Sequence, residues 1–429
     1  MTAGPPAGDA PARDCLVLYT NYFPYHRGEE YLEAELPFLL ERFRRVVLVP
    51  VMYETGMTRS RAVPSRVDVV AVDMPSGRPA RAGHVARHAA TAARTGLLAG
   101  AARPTSPRAF LYDLYFTTRG LEFWRRSHRA VLEAVGDATD VVVYSYWLYV
   151  TAFEAVLLRR ALGERVALAV SRAHRYDVVK EVNAVGFLPQ RRLLLEGLDR
   201  VHPVSDQGRD SLVDDVPDLA DRVTVRRLGV APPLGRGPRT LRPRLEVVSC
   251  SSLKPVKQVP LLLDALALLH GRGVPVRWTH FGGDGAALDR LREAAGRALP
   301  ADAVALRGHL ANAEVLEHYA SAPVSVFVNV STSEGVPVSV MEAMAHGVPA
   351  VATAAGGTGQ LVTDGRDGRL LPVDADAVAV ADALEDVWRL TPAAYGRLVE
   401  QAHTTWATGW ATTAVYPEFA AALAGVNGS

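Results

Sequence analysis

Short, unbroken apolar runs alternating with helical patterns restrict what this chain can fold into more than any other feature. The runs lie at Cys15–Thr20, Val46–Val51, Val67–Asp73, Val141–Trp147, Val166–Ala173 and Arg200–Val204. Continuous hydrophobicity over so few residues marks strands covered on both faces, as in parallel sheets. Helical patterns such as Glu29–Arg44 and Ala152–Leu162 fall between them, and this alternation predicts a doubly wound α/β domain. At Leu228–Pro243 the chain turns rich in proline and glycine, which reads as a linker. A second series follows at Leu245–Cys250, Val276–Phe281, Ala303–Leu306, Val324–Val330 and Pro349–Thr353, then helical segments from Ala375 to near Ala424. The expected division is a first domain over 1–230, a linker over 231–243, a second domain over 244–405 and a last helix over 406–429. That helix carries Trp406, Trp410, Tyr416 and Phe419 and is expected to pack back on the first domain through them.

A length of 429 residues suits two domains of roughly 200 each. The 47 basic and 46 acidic residues leave a net charge of +1, so nothing in the balance calls for a nucleic-acid partner. Cys15 and Cys250, the two cysteines, sit in separate strand-like runs and read as buried small hydrophobes rather than a disulfide or a nucleophile. So few cysteines fit a reducing compartment. The N-terminus lacks the basic stretch and apolar core of a secretory signal, and no apolar run approaches the ~20 residues of a membrane span. A soluble cytoplasmic protein is expected. The stretch Arg78–Arg108 carries Arg81, Arg87, Arg94 and Arg103 between its ends, with His84 and His88 and no acidic residue. It reads either as a solvated helix or loop, or as a basic segment lying peripherally on anionic lipid at the inner face of the plasma membrane.

The chemistry concentrates at Val328–Gly347. A strand ends at Val330, a polar turn Ser331-Thr332-Ser333-Glu334-Gly335 follows, and Pro337 stands where a helix Val338–Ala345 begins. A strand, a glycine-bearing turn and a helix N-terminus present free N–H groups and a dipole suited to a diphosphate. Gly335 permits close backbone approach. Glu342, one to two turns into the helix among apolar neighbours, is placed to accept hydrogen bonds from the vicinal hydroxyls of a ribose. Glu334, at the turn, faces where a transferred sugar would lie.

The pattern Glu334-x7-Glu342 within SEGVPVSVMEAMAHGVPAVAT resembles the donor motif of the family 4 retaining glycosyltransferases, of the bacterial exopolysaccharide, capsule and lipopolysaccharide branch. YFPYHRGEEYLEAELPFL, SRAHRYDVV, HPVSDQGRDSL and SCSSLKPVKQVPLLLDAL occur in the same order as that branch's blocks. The resemblance spans nearly the whole chain and is weakest between Arg78 and Asp140. It implies the GT-B fold, two Rossmann-like domains facing a central cleft, with an acceptor-side first domain and a nucleotide-sugar-binding second domain.

Residue by residue, the resemblance assigns Lys257 to the donor diphosphate. An arginine is usual where Ser252 stands, so Lys254 is the candidate replacement cation. Gly282-Gly283-Asp284-Gly285 is similar to the family's glycine turn, and Gly308-His309-Leu310 to the segment whose backbone reads the base. Val336 and Pro337 belong to the donor block. Gly356-Gly357 resembles the family's glycine pair, but Gln360 replaces the usual acidic residue. In the first domain, Gly28 lies where backbone would approach the donor, and Glu29 and Glu30 suit a helix N-terminus. His174, flanked by Arg172 and Asp177, matches the histidine that contacts the transferred sugar.

The implied reaction is transfer of a hexose-type sugar from a nucleotide-diphosphate sugar to a glycan, lipid-linked or small-molecule acceptor by front-face attack, with retention. It has no protein nucleophile, no cofactor and no divalent metal; Asp214-Asp215 reads as loop charge. Two other readings stand beside it: a non-catalytic partner subunit of the same fold, which sugar transfer by the purified chain would exclude, and another double-α/β enzyme. A nicotinamide enzyme should carry Gly-x-Gly-x-x-Gly after its first strand, and Thr20–Gly28 lacks it.

Overall fold

The computed structural model describes residues 13–25, 28–29, 31–94 and 106–425. These form two compact units, one of residues up to Leu228 and from Val415, the other Gly229–Ala414. The first unit holds β1 (Arg13–Thr20), β2 (Phe43–Pro50), β3 (Val67–Val69), β4 (Val141–Ser145), β5 (Val166–Ala173) and β6 (Arg200–Pro203) in the order β3-β2-β1-β4-β5-β6. The second holds β7 (Leu245–Cys250), β8 (Val276–Phe281), β9 (Val304–Gly308), β10 (Val326–Asn329), β11 (Ala350–Thr353) and β12 (Gly368–Leu371) in the order β12-β11-β10-β7-β8-β9. Every named pair is parallel. In each sheet the winding direction reverses between two central strands, β1 and β4 or β7 and β10. The loops leaving the carboxyl ends of such a pair diverge and open a crevice.

The apolar runs are continuous because each strand feeds two cores. In β1, Cys15, Val17 and Tyr19 join one cluster and Leu16 and Leu18 the other. In β10, Val326 and Val328 divide from Phe327 in the same way. Burial pushes the Cys15 thiol up to about 11 and the Cys250 thiol up to about 12, so neither is a ready nucleophile.

The same alternation overturns the donor role expected for Arg172. It shares a face of β5 with Val170, the face covered by Phe419 of the closing helix Thr412–Leu423. Its side chain is fully buried. The guanidinium donates to Glu35 at 3.0 Å, to the Tyr144 hydroxyl at 2.7 Å and to the Arg226 carbonyl at 2.9 Å, and lies 4.0 Å over the Phe419 ring. Tyr144 donates to the second Glu35 oxygen at 2.8 Å. Arg172 is therefore a core strut. The C-terminal aromatics also divide: Tyr416 packs 5.9 Å from Phe38 in the first unit, whereas Trp406 and Trp410 lie in a core of the second.

Residues 231–243, expected as a linker, are a strap fixed along the second unit. Gly237 donates to the Tyr319 carbonyl at 3.1 Å, Arg239 to the His346 carbonyl at 3.1 Å, and the Arg242 guanidinium sits 3.5 Å over Trp388. Within the basic stretch, Arg78–Arg94 is a helix, while 95–105 lie outside the described residues. It packs on a helix that composition did not reveal, Pro107–Val135, capped where Ser106 accepts from the Ala109 N–H at 3.2 Å. Buried Glu122 joins the two, accepting from His88 at 2.7 Å and from Arg126 at 2.7 Å. Arg78 and Arg81 stay exposed, Arg81 lying 5.5 Å over the Tyr115 ring, and Phe110 and Leu111 on the partner helix are 47% and 62% exposed. Among the described residues no helix is long and apolar enough to cross a membrane.

Removing one member of a buried ion pair strands the other charge, at a cost of about 3–5 kcal/mol. Glu35→Ala should lower the stability of the first unit by that amount in urea denaturation, and an unchanged midpoint would show that the strut carries no load.

Candidate functional site

At the β7/β10 switch point of the second unit, the loop after β7 runs through Ser251–Lys254 into a short 3-10 turn, Pro255–Lys257. The loop after β10 runs from Val330 to Pro337, where the helix Val338–Ala345 begins. Thr332 donates to the Val256 carbonyl at 2.8 Å and ties the loops together. Lys257 Nζ then lies 2.6 Å from Glu334 Oε1. Asn329, at the end of β10, donates to the same oxygen at 3.2 Å, and its side-chain Oδ1 accepts from the Ser331 hydroxyl at 2.5 Å. A small recess beside them is lined by Ser249, Cys250, Ser251, Lys257, Asn329 and Val330, among others. No side chain caps the helix N-terminus, so its first N–H groups keep an unused capacity for an anion.

Two glycine pairs let neighbouring strand ends close on these loops. A Cβ at Gly356 would stand 2.0 Å from the Glu334 carbonyl oxygen, and the Gly357 N–H donates to the Gly335 carbonyl at 2.6 Å. On the other side, a Cβ at Gly282 would stand 2.0 Å from the Ser251 carbonyl oxygen, at a φ of +115°. Gly283 abuts the Leu253 side chain, and the Gly282 N–H donates to the Gly308 carbonyl at 2.7 Å. Only glycine fits such approaches, so the Glu334–Gly335 and Ser251–Leu253 corners are held by backbone.

Glu342 is half-buried in the second turn of the helix and accepts from Asn312 at 2.8 Å. Burial pushes its carboxyl up to about 7, against the lowering effect of Asn312. Gly335 and Val336 are half-buried and Pro337 is buried at the turn into the helix. Ser252 and Lys254 are exposed on the β7 loop. Gly308 ends β9 with φ +70°, followed by exposed His309 and half-buried Leu310, which packs against the cluster containing Met341 and Met344. Asn329 and Asn312 were not read from the sequence. Asn329 carried a signal, a short polar residue closing a strand before a Ser/Thr turn; Asn312 is thirty residues from its partner and carried none.

In the first unit, His174 follows β5 and is half-buried. Its ring lies 4.4 Å from Trp147 and 4.9 Å from Tyr146, centroid to centroid. Nε2 lies 3.0 Å from the Tyr146 carbonyl, which only accepts, so Nε2 carries the proton. Its backbone N–H donates to Asp177 at 2.5 Å. Burial, with the Arg172 charge adding to it, pushes the imidazole down to about 3, leaving it neutral at ordinary pH. Gly28 has φ +100° and nothing within 4 Å of a Cβ, so backbone conformation rather than close approach calls for glycine there. Glu29 stands at the entry to the helix Tyr31–Arg42, where its carbonyl accepts from the Leu32 N–H at 3.0 Å. With φ +59° it turns back, and its buried carboxylate accepts from the Asn21, Tyr22 and Phe23 N–H groups at 2.7–2.8 Å. Glu30 lies outside the described residues.

Residues 244–389 match the family model described as glycosyl transferases group 1. The chain is 28% identical over 225 residues to the putative colanic acid biosynthesis glycosyltransferase WcaL of Salmonella typhimurium, covering 51% of this chain and 54% of that one. It thus spans about half the length of the curated WcaL relatives it matches. Among solved structures, HepE of Anabaena in complex with UDP superposes with a TM-score of 0.65 at 15% identity, over 96% of this chain and 100% of that one. The apo lipopolysaccharide outer core galactosyltransferase WaaB gives a TM-score of 0.64 at 13% identity, over 96% and 99%. At such identities the structures speak for the fold alone, which is GT-B. The chain thus carries, in its second unit, a domain that matches the glycosyl transferases group 1 model, within a GT-B fold.

Proposed function

We propose that this chain is a retaining glycosyltransferase that moves a sugar from a nucleotide-diphosphate sugar to a glycan, lipid-linked or small-molecule acceptor, with no requirement for a divalent metal. The observation that carries the reading is the meeting of Lys257, Glu334 and an uncapped helix N-terminus at one switch point. An ammonium and oriented N–H groups stabilise a departing diphosphate where its charge develops. Glu342 would receive the ribose hydroxyls, and Gly283 and the backbone of Gly308–Leu310 the remainder of the nucleotide. Lys254, exposed on the β7 loop, and Ser252 beside it would border the diphosphate. In the first unit, neutral His174 would meet the transferred sugar as a polar neighbour, not as a cation or base.

In the reaction, the bond from the anomeric carbon to the phosphate oxygen breaks with its electron pair going to the diphosphate. The acceptor oxygen bonds the same face of that carbon, and its proton passes to a phosphate oxygen. HepE carries UDP and UDP-glucose in its complexes, so uridine nucleotides are the first to test. Calorimetric titration of UDP and UDP-sugars, followed by product analysis with candidate acceptors and chelator present, decides the reading. Binding with transfer supports it; nucleotide binding without transfer to any acceptor favours a non-catalytic partner subunit instead.

Lys257→Ala should keep the fold and lower kcat by roughly 10²–10³, the scale of losing one preorganised charge partner; unchanged turnover would remove the lysine from the mechanism. The raised Glu342 carboxyl gives a second test. In the empty protein the group holds its proton up to about pH 7, whereas a ligand whose hydroxyls donate to the carboxylate favours the ionised form. Affinity for a nucleotide-sugar, whose phosphodiester-type groups do not titrate nearby, should therefore fall as pH drops below 7, by up to about tenfold per unit. Glu342→Gln should abolish that slope, and a slope surviving the change would place the titration elsewhere.

Peripheral contact with an anionic membrane belongs to the same proposal, through exposed Arg78 and Arg81 on a helix whose partner helix exposes Phe110 and Leu111. Sedimentation with phosphatidylglycerol vesicles should be strong at low salt, weak at high salt, and lost in Arg78→Glu/Arg81→Glu. Equal pelleting with neutral vesicles would contradict an electrostatic contact.

A further inference from the structure

The first sheet repeats the switch-point geometry of the second but uses it differently. Three successive N–H groups, those of Asn21, Tyr22 and Phe23, converge just beyond the end of β1. A concave set of this kind is an anion-binding nest. Here the anion is the chain's own Glu29 carboxylate, so these N–H groups are not available to a ligand phosphate. The carboxylate has a fourth donor. Trp147, in the loop after β4, gives its indole N–H to Glu29 Oε1 at 2.7 Å. The loops on either side of the switch point are therefore joined through one carboxylate.

Trp147 leads onward to His174, whose ring it contacts at 4.4 Å with the planes 43° apart. Tyr146, one residue earlier, holds His174 from its other edge through the carbonyl contact at 3.0 Å. We propose that Glu29 is the positioning residue of the first unit's site: by anchoring Trp147 it fixes the ring of His174 and covers it from water on that side. The inference rests on the reading of His174 as the residue that meets the transferred sugar. Its physical core, the coupling of Glu29 to His174, can be examined without any sugar.

Each Glu29 oxygen accepts two N–H donors. An amide in its place would turn a second set of donors toward two of them, which repels Trp147 or the β1 loop. Trp147→Phe is the milder variant; it keeps a ring against His174 and loses only the N–H to Glu29. The experiment follows the His174 resonance in 13C-histidine-labelled full-length chain across pH, assigned by its loss in His174→Gln. The wild-type imidazole should stay neutral well below the ordinary histidine range, held down by burial and by Arg172, with Asp177 bound to its backbone. In Glu29→Gln, water reaching the ring should raise its midpoint toward the usual value of about 6.5, and Trp147→Phe should move it part of the way. With a UDP-sugar and acceptor, both variants should lose kcat by at least about tenfold while donor KM stays within about twofold, in keeping with an effect on the reacting sugar rather than on the nucleotide. An unshifted His174 titration in folded Glu29→Gln and Trp147→Phe would overturn the proposal. If the wild type transfers no sugar, the functional reading fails, and the His174 titration still decides the clamp by itself.

Discussion

A carbonyl oxygen that would lie 2.0 Å from a Cβ at Gly356, and another at the same distance from a Cβ at Gly282, set the shape of the second unit's site. No side-chain-bearing residue tolerates such contacts without moving backbone. These approaches hold the Glu334–Gly335 corner and the Ser251–Leu253 loop in place, and through them Lys257, Glu334 and the start of the helix at Val338. The fixed elements are thus backbone groups and strand ends, while the charged side chains sit on them. Preorganised charge of this kind loses little to reorganisation when a leaving group's charge appears.

The first unit begins from the same strand order and reaches a different result. Its nest of N–H groups is closed by Glu29, and its buried Arg172 by Glu35, Tyr144 and the closing helix. Both are cases of charge satisfied within the unit. At the carboxyl end of β5 stands a neutral His174. The lysine and the uncapped helix N-terminus belong to the second unit.

The fold was legible because strands buried on both faces read as continuous apolar runs, and the two series recur with the same order. The exceptions have physical causes. β12 is a half-buried edge strand of only four residues preceded by a polar turn, too short and too little covered to leave an apolar run. The helix Pro107–Val135 carries buried Asp113, Glu122 and Ser127 on its inner face, so that face does not read as an apolar stripe. Residues 231–243 have linker composition, yet backbone and arginine hydrogen bonds lay them along the second unit. At the site, Lys257 and the Glu334 turn could be read because a strand, a turn and a helix lie in sequence. Arg172 was misread because proximity in sequence to His174 says nothing of which sheet face a side chain takes; adjacent strand residues point oppositely. Glu29 escaped because its role depends on one left-handed backbone angle and on Trp147, 118 residues away.

The contrast between an open anion site in the second unit and a filled one in the first is what the account depends on. Hydrogen–deuterium exchange of the full chain with and without a uridine diphosphate ligand measures it directly. The account predicts added protection over 251–258 and 331–341, and no change at 21–23, whose N–H groups are already bonded to Glu29. Protection appearing at 21–23 while 331–341 exchange as before would contradict it.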